Sequence, residues 1–325
     1  MSGTYGAILA AGLGTRLRPL TLTCPKPKLP ICGRPLLEYG MDLLESAALK
    51  GVGINAFHCA ESFESGFEAR PFPVQVSHED QLLGTGGGLK RIASLFPKGR
   101  LVSINGDALL DCDLAPMVER HIESGAVATM VLRPVPRSSP FARVGYDEDQ
   151  RIYKISEVEA PDVDSRELNF SAYTGVQIVE PELLEFVDSG PCDVIRTGYR
   201  RALERGLHVR AEFVHGLWLD VGTPERYFHA NKHLAALSEH ERQRWRVPPS
   251  APGINARSWV HPQSSLGDGC MIGDGVVVNS PSIFSASIEL SDFVGVGALN
   301  ITQSMTGFIG YETDGATQYI ELKSP

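Results

Sequence analysis

The sequence predicts an α/β layered domain with a mostly parallel central sheet, followed by a short left-handed β-helix. Three observations carry this prediction. Short apolar runs alternate with amphipathic stretches over the first two-thirds of the chain, the pattern of a sheet covered by helices. Glycine-rich turns fall directly after two of the apolar runs, at Gly12 and Gly106. Beyond about Ser238 the alternation gives way to apolar residues recurring every six positions.

The elements follow in order. "YGAILA" (5–10) reads as a buried strand and "LLEYGMDLLESAAL" (36–49) as a helix, with Leu36, Leu37, Met41, Leu44 and Leu49 at helical spacing after Pro35. "GINAFHC" (53–59) and "FPVQVSHE" (72–79) read as strands, and "GGLKRIASLF" (87–96) as a helix opening from glycines. "LVSIN" (101–105) is a strand ending at Gly106-Asp107. Asp113 is placed to cap the helix "LAPMVERHIES", and "VATMVLRPV" (127–135) resumes strand character. In such sheets ligands sit at the carboxyl ends of the strands, where Gly12 and Asp107 both fall.

"SEHERQRWRVPPSAPG" is polar and then proline-rich, so residues 238–252 read as a linker between a domain at 1–237 and another at 253–325. Ile254, Val260, Leu266, Ile272, Val278, Phe284, Leu290 and Val296 form a period-six series, with Gly267 and Gly273 at turns. That period matches one flat face of a triangular β-helix, each apolar residue pointing inward; a β-sandwich with chance spacing is the alternative. The series stops at Thr302. The tail from Gly307 is either a capping strand pair or a segment that docks elsewhere.

With 325 residues the chain is long enough to bury a large core. No apolar run approaches the ~20 residues that cross a bilayer, so no membrane partner is expected. "MSGTYGAILAAG" lacks the pattern of a signal peptide. Six scattered cysteines without a CxxC pair argue for a reduced, cytoplasmic setting and against structural zinc. A net charge of −9 argues against nucleic acid as a partner. It also isolates the basic cluster Arg16, Arg18, Lys26, Lys28 and Arg34 beside the first glycine turn.

A glycine turn between strand and helix exposes backbone N–H groups that form an anion-binding concavity. Gly12, Gly14 and Thr15 supply the turn, Arg16 a planar fork for phosphate oxygens, and Lys26 a compact charge. The prolines at 19, 25, 27 and 30 restrict the segment. The plain alternative, a solvated basic loop, leaves that proline spacing unexplained.

"LAAGLGTRLRPLTLTCPKPKLPI" (9–31) resembles the signature of the sugar-1-phosphate nucleotidyltransferases, and further motifs of that family recur in order across residues 5–235. The resemblance implies a Rossmann-like three-layer nucleotidyltransferase domain whose substrates are a nucleoside triphosphate and a sugar 1-phosphate. It places Leu9, Ala10, Ala11 and Gly12 against the nucleoside, Gly14, Thr15 and Arg16 on the β- and γ-phosphates, and Lys26 on the α-phosphate. Lys28 has no role in the pattern. A nucleoside triphosphate carries about four negative charges, so an acidic protein must supply local compensation.

Asp107 ends "LVSINGD" and Asp220 sits in "LWLDVGTPERY"; on spacing alone each reads as a strand-end turn residue. Both stretches resemble the family's paired metal motifs, which implies joint Mg²⁺ ligation by Asp107 and Asp220. "SHEDQLLGTGGGL" (77–89) resembles the base-recognition segment, with Glu79, Gly84 and Thr85 as contacts. Relatives that transfer thymidylyl or uridylyl groups often carry glutamine where Glu79 stands. A carboxylate only accepts hydrogen bonds, which suits the adjacent donors N1–H and N2–H₂ of guanine; a solvated loop acid is the plain alternative. The triple glycine also resembles N-acetylmuramate-1-phosphate uridylyltransferases and heptose-1-phosphate guanylyltransferases. The resemblance makes Asn105, Gly106, Glu157, Thr174 and Gly175 the sugar contacts. It departs from the family's Glu-Lys-Pro triplet at Val158, where Lys154 or Arg166 must substitute or the sugar must differ.

The leading expectation is an enzyme joining GTP and mannose 1-phosphate, assembled as a homo-oligomer through the β-helix. Its rivals are a uridylyl- or thymidylyltransferase, a silent nucleotide-sugar-binding regulatory subunit, a bifunctional acyltransferase, and a nucleotide-dependent dehydrogenase. His261 alone beyond the linker, read as structural or surface, weakens the acyltransferase; the glycine spacing fails the dehydrogenase fingerprint.

Overall fold

A computed structural model describes residues 3–161, 163–250, 254, 257–267, 271–272, 276–280, 282–284, 289–296, 299–301, 305–313 and 316–322. In chain order its elements begin with β1 (Gly3–Leu9), the hairpin strands β2 (Pro30–Ile31) and β3 (Arg34–Pro35), α1 (Leu36–Glu45), β4 (Val52–Ala56) and β5 (Val74–His78). They continue with α2 (Gly84–Ala93), β6 (Gly99–Asn105), β7 (Ala108–Leu110), α3 (Leu114–Ser124), β8 (Ala128–Pro134), β9 (Ala142–Tyr146), β10 (Ile152–Ile155) and β11 (Val158–Glu159). Next come β12 (Asn169–Val179), α4 (Pro181–Glu185), α5 (Arg200–Glu204), β13 (Val209–Phe213), β14 (Trp218–Asp220), α6 (Pro224–Ala235) and α7 (Glu239–Arg244). By packing the chain divides into two units, residues 1–13 with 40–220 and residues 14–39 with 221–325. The motif-based boundaries at 237 and 253 follow sequence texture; packing instead groups the segment 14–39 with the C-terminal residues.

The first unit is α/β. Its sheet runs β11-β10-β9-β12-β6-β1-β4-β5, with β8 attached at β12 and β13 at β8. The run β6-β1-β4-β5 is parallel throughout, and β12 joins β6 antiparallel. Leu89 and Ile92 of α2 share one buried cluster with Tyr5 and Ala7 of β1 and Leu101 of β6. That packing covers one face of the parallel run. Boundaries follow local chemistry. α1 stops at Glu45, ahead of Ala48 at φ +49°. α2 begins at Gly84, earlier than the apolar pattern predicts. Asp113 caps α3 as predicted, its Oδ1 accepting from the Ala115 N–H at 3.1 Å, and Gly125 in the left-handed region closes that helix.

In the second unit, part of the predicted linker is helical. Ser238 and Glu241 form a reciprocal capping box that starts α7. Trp245, just after it, meets the Tyr39 ring at 6.2 Å, and the Trp245 carbonyl accepts from Arg34 Nη1. The capping signal was present in the sequence, but the prolines that follow masked it.

Beyond the helices, short strands pair in parallel with an offset of eighteen residues: Trp259 with Val277, Ser265 with Ile283, Met271 with Glu289. The next turn of chain shortens to seventeen, since Val277 pairs with Val294 and Ile283 with Asn300. The period-six series therefore needs two corrections. Val278 pairs with Gly295, one residue short of Val296; the buried Phe293 and Val294 set the register there. Leu266 is 39% exposed rather than inward. Val260, Val276, Val278, Phe293 and Leu299 make the core of this region, with Ile254 and Ile272 packed against it. The tail forms an antiparallel strand pair, Met305–Thr313 with Ala316–Glu321. Cys270, Gly273 and Thr302 lie outside the described residues.

Asp113→Ala should lower the unfolding free energy by about 1 kcal/mol through loss of the cap. Urea denaturation should show a lower midpoint with an unchanged slope.

Candidate active site

In the first unit the carboxyl ends of β1 and β6 lie side by side, Leu9 paired with Asn105 and the Leu9 carbonyl accepting from the Gly106 N–H at 3.0 Å. After Gly106-Asp107 the chain leaves the sheet as β7, and β14 pairs with it antiparallel, setting Asp220 opposite Ala108. The two aspartates, far apart in sequence, thus reach the same end of one ladder. Both are partly exposed. Trp218 Nε1 donates to the Thr174 carbonyl (3.2 Å), tying this ladder to β12. Gly175, at φ +91°, lies against Asn105: a Cβ there would fall 3.0 Å from Asn105 Nδ2. Asn105, Gly106, Asp107, Thr174, Gly175 and Asp220 are therefore one neighbourhood. The Thr174 hydroxyl donates to the Val131 carbonyl and is buried, so its side chain braces β12.

The turn after β1 joins the base segment through a buried relay. The Ala10 N–H donates to Asn55 Oδ1 (2.7 Å), and Asn55 Nδ2 donates to Glu79 Oε1 (2.7 Å). Glu79 Oε2 accepts from the Leu83 N–H at 3.0 Å. Glu79 is buried, which removes the solvated-loop alternative. Asn55 carries the relay and has no counterpart in the sequence reading; nothing around it in "GINAF" marks it. A Cβ at Gly12 would meet nothing within 4 Å, so the bend has open space beside it, whereas Ala10 and Ala11 are buried. Gly84 adopts φ +69° with the Cys192 carbonyl where a side chain would be. Thr85 Oγ1 donates to Asp193 Oδ2 and accepts from the Val194 N–H, both at 3.0 Å.

Val158 is buried in the main core, so this position turns inward where the family's lysine would stand. Of the two candidate substitutes for that lysine, Lys154 pairs with Glu159 and Arg166 with Asp164, each at 2.6 Å. Arg196 pairs with Glu157, its Nε 2.7 Å from Glu157 Oε1. That hydrogen bond holds the Glu157 carboxyl below the usual carboxylate range. Arg196 lies in a separate helical turn, so no local motif signals it.

In the second unit Gly14 (φ +60°) starts a tight turn over Thr15–Leu17. Its carbonyl accepts from the Leu17 N–H and the Thr21 hydroxyl, both at 2.8 Å. Thr15 and Arg16 are exposed and Leu17 is buried. Lys26 opens a second tight turn, Lys26–Lys28, and is only 7% exposed. Gly14 and Lys26 are in contact, a Cβ on Gly14 falling 3.2 Å from Lys26 Cβ. Burial pushes the Lys28 ammonium down from the usual lysine range, partly offset by Glu38. His261 Nδ1 accepts from the Gln263 N–H, a role in its own turn.

Two carboxylates at one ladder end offer hard oxygen donors suited to a divalent cation that takes its other ligands from phosphate and water. No group of three potential ligands occurs among the described residues. Among those residues no helix is long and apolar enough to cross a membrane, and Cys24, Cys32, Cys59, Cys112 and Cys192 are not disulfide-bonded.

Residues 5–236 match the family described as nucleotidyl transferase. The chain is 32% identical over 309 residues to a UTP–glucose-1-phosphate uridylyltransferase of Synechocystis sp., covering 86% of this chain and 78% of that protein. It is 30% identical over 279 residues to the mannose-1-phosphate guanylyltransferase catalytic subunit beta of Drosophila pseudoobscura pseudoobscura, covering 83% and 72% respectively. A solved UDP-glucose pyrophosphorylase complexed with UDP-glucose superposes with a TM-score of 0.58 over 71% of this chain and 97% of that one; at 18% identity the likeness is of fold.

Asn55→Ala should lower stability by about 3 kcal/mol, since it strands the Ala10 N–H and one buried Glu79 oxygen. The urea midpoint measures the loss.

Proposed function

Because the chain belongs to the nucleotidyl transferase family, we propose that it joins a nucleoside triphosphate to a sugar 1-phosphate, releasing pyrophosphate. The observation that carries this reading is the β7–β14 ladder, which brings Asp107 and Asp220 to one end beside Asn105 and Gly175. In the proposed reaction a phosphate oxygen of the sugar 1-phosphate forms a bond to the α-phosphorus, and the bond from that phosphorus to the bridging oxygen breaks. The electron pair leaves with pyrophosphate. The nucleophile is already anionic at neutral pH, so no side-chain base is required. Gly14, Thr15 and Arg16 would hold the β- and γ-phosphates, and Lys26 the α-phosphate. These positive groups stabilise charge that builds on the leaving oxygens. Asp107 and Asp220 would hold Mg²⁺, which supplies charge neutralisation at the α-phosphate when bound. Arg196, beside Glu157, takes the place of the absent lysine on the sugar side.

Guanine is the proposed base and mannose 1-phosphate the proposed sugar. Glu79 supports guanine through its acceptor-only chemistry, and the similarity to a mannose-1-phosphate guanylyltransferase supports both. Uridylyl transfer is the second reading, favoured by two observations: the similarity to a UTP–glucose-1-phosphate uridylyltransferase, and both Glu79 oxygens already accepting from Asn55 and Leu83. We further propose that the C-terminal strands form a short left-handed β-helix, supported by the eighteen-residue offset of three parallel pairs, and that it mediates homo-oligomer formation. Five cysteines held as reduced thiols fit a cytoplasmic setting.

A pyrophosphate-release assay should cross GTP, UTP, ATP, CTP and dTTP with mannose-, glucose-, N-acetylglucosamine-, N-acetylmuramate- and heptose-1-phosphates, with and without Mg²⁺. Asp107→Asn and Asp220→Asn should each lower kcat by about three orders of magnitude while remaining folded. Near-wild-type turnover in either removes that residue from the metal role, and no turnover in any wild-type pairing favours the regulatory subunit. Glu79→Gln should erase a preference for GTP over UTP of about tenfold or more; unchanged selectivity sinks the guanine argument.

A further inference from the structure

We propose that Asn279, in the C-terminal repeat, is a positioning residue that clamps the segment bearing Lys26; the inference rests on the proposed reaction for its kinetic meaning. The β2–β3 hairpin turns on two successive residues in the left-handed region, Cys32 (φ +46°) and Gly33 (φ +74°). Such a turn leaves their backbone N–H groups without ladder partners. Cys32 is fully buried, so these donors need acceptors from the protein.

Two side-chain amides supply them. The Cys32 N–H donates to Asn231 Oδ1 (3.1 Å), from α6, and the Gly33 N–H donates to Asn279 Oδ1 (2.9 Å). Asn279 Nδ2 donates to Asn231 Oδ1 and to the Gly295 carbonyl, each at 3.1 Å. One buried amide thus joins the hairpin, α6 and the next turn of the repeat. Two more contacts fix the same hairpin. The Tyr227 hydroxyl donates to the Pro30 carbonyl at 2.6 Å. The buried Trp259 ring lies so close to Gly33 that a Cβ there would sit 2.1 Å from its Cη2.

The hairpin continues directly into the cation turn. The Leu29 N–H donates to the Lys26 carbonyl at 3.1 Å, and Leu29 is fully buried. Lys26 in turn touches Gly14. A line of packed groups therefore runs from the repeat through Asn279 to Gly33, Leu29, Lys26 and Gly14. Apolar packing alone would stabilise the unit without fixing this register; a satisfied buried amide pair allows one. The C-terminal repeat, on this reading, aligns Lys26 and the Gly14 turn for the phosphates.

The test uses the full chain. In Asn279→Ala, amides of residues 26–35 should exchange with deuterium about tenfold faster than in wild type. Its kcat should fall about tenfold or more, with KM for the sugar 1-phosphate held within about twofold. Ser282→Ala, in the same repeat and bonded to the Leu299 N–H rather than the hairpin, should change neither quantity. Unchanged exchange and kcat in Asn279→Ala, or equal effects in Ser282→Ala, overturn the proposal. If Asn279→Ala fails to fold, native-state exchange of wild type in mild urea decides. Opening of the Cys32 and Gly33 amides together with those of Val260 and Val278 supports the clamp; separate opening overturns it. A wild type inert toward every substrate pair sinks the reaction reading, and the exchange data then decide the clamp alone.

Discussion

The proposed chemistry of this molecule depends on the pairing of β14 with β7. Like charges on neighbouring strands destabilise a ladder, so two aspartates gathered at one end must be held by something other than their own interaction. The backbone supplies it: Trp218 pairs with Leu110, Leu219 with Leu109, and Asp220 with Ala108. Leu109 is fully buried and Leu110 nearly so, which anchors the ladder through its apolar side. The Trp218 indole adds a lateral tie to Thr174. Hydrogen bonds and burial thus fix where the two carboxylates sit, and on the proposed reading they would hold a divalent cation.

What was legible in the sequence was mostly local. The strands ending at Leu9 and Asn105, the Asp113 cap and the start of α1 at Leu36 follow from residue pattern within a few positions of each element. The glycine turn and its cations were visible for the same reason. What was hidden depends on partners distant in the chain. Asn55 looks like an ordinary strand residue until Glu79 stands beside it. Arg196 lies outside every motif and is found only because the fold delivers it to Glu157. At Val158 the sequence showed a departure from the triplet, and the inward turn of that side chain gives the physical reason.

The period-six series shows the limit of periodic reasoning. Spacing alone placed Val296 over Val278, yet burial of Phe293 and Val294 shortens that turn of chain by one residue. A strand's register is set by which face buries its apolar side chains, and a spacing count cannot see a residue dropped from the preceding turn. The grouping of residues 14–39 with the C-terminal residues was hidden for a related cause. Among its ties are the hydrogen bonds of Asn231 and Asn279 to the hairpin, and the sequence surroundings mark neither asparagine as special.

In the segment proposed to recognise the base, two physical demands conflict. Burying a carboxyl group is unfavourable unless hydrogen bonds compensate, and Asn55 and Leu83 provide that compensation for Glu79. A purine edge with two adjacent donors needs acceptor capacity from the same group. A carboxylate has about four lone-pair sites, so one bond at each oxygen leaves the second site of each to be weighed against geometry. The Asn55 amide is the deciding element, because it also holds the Ala10 N–H and thereby fixes the turn against which a nucleoside would lie. On the proposed reading, base choice and turn placement are then properties of one relay, and neither can be altered there without disturbing the other.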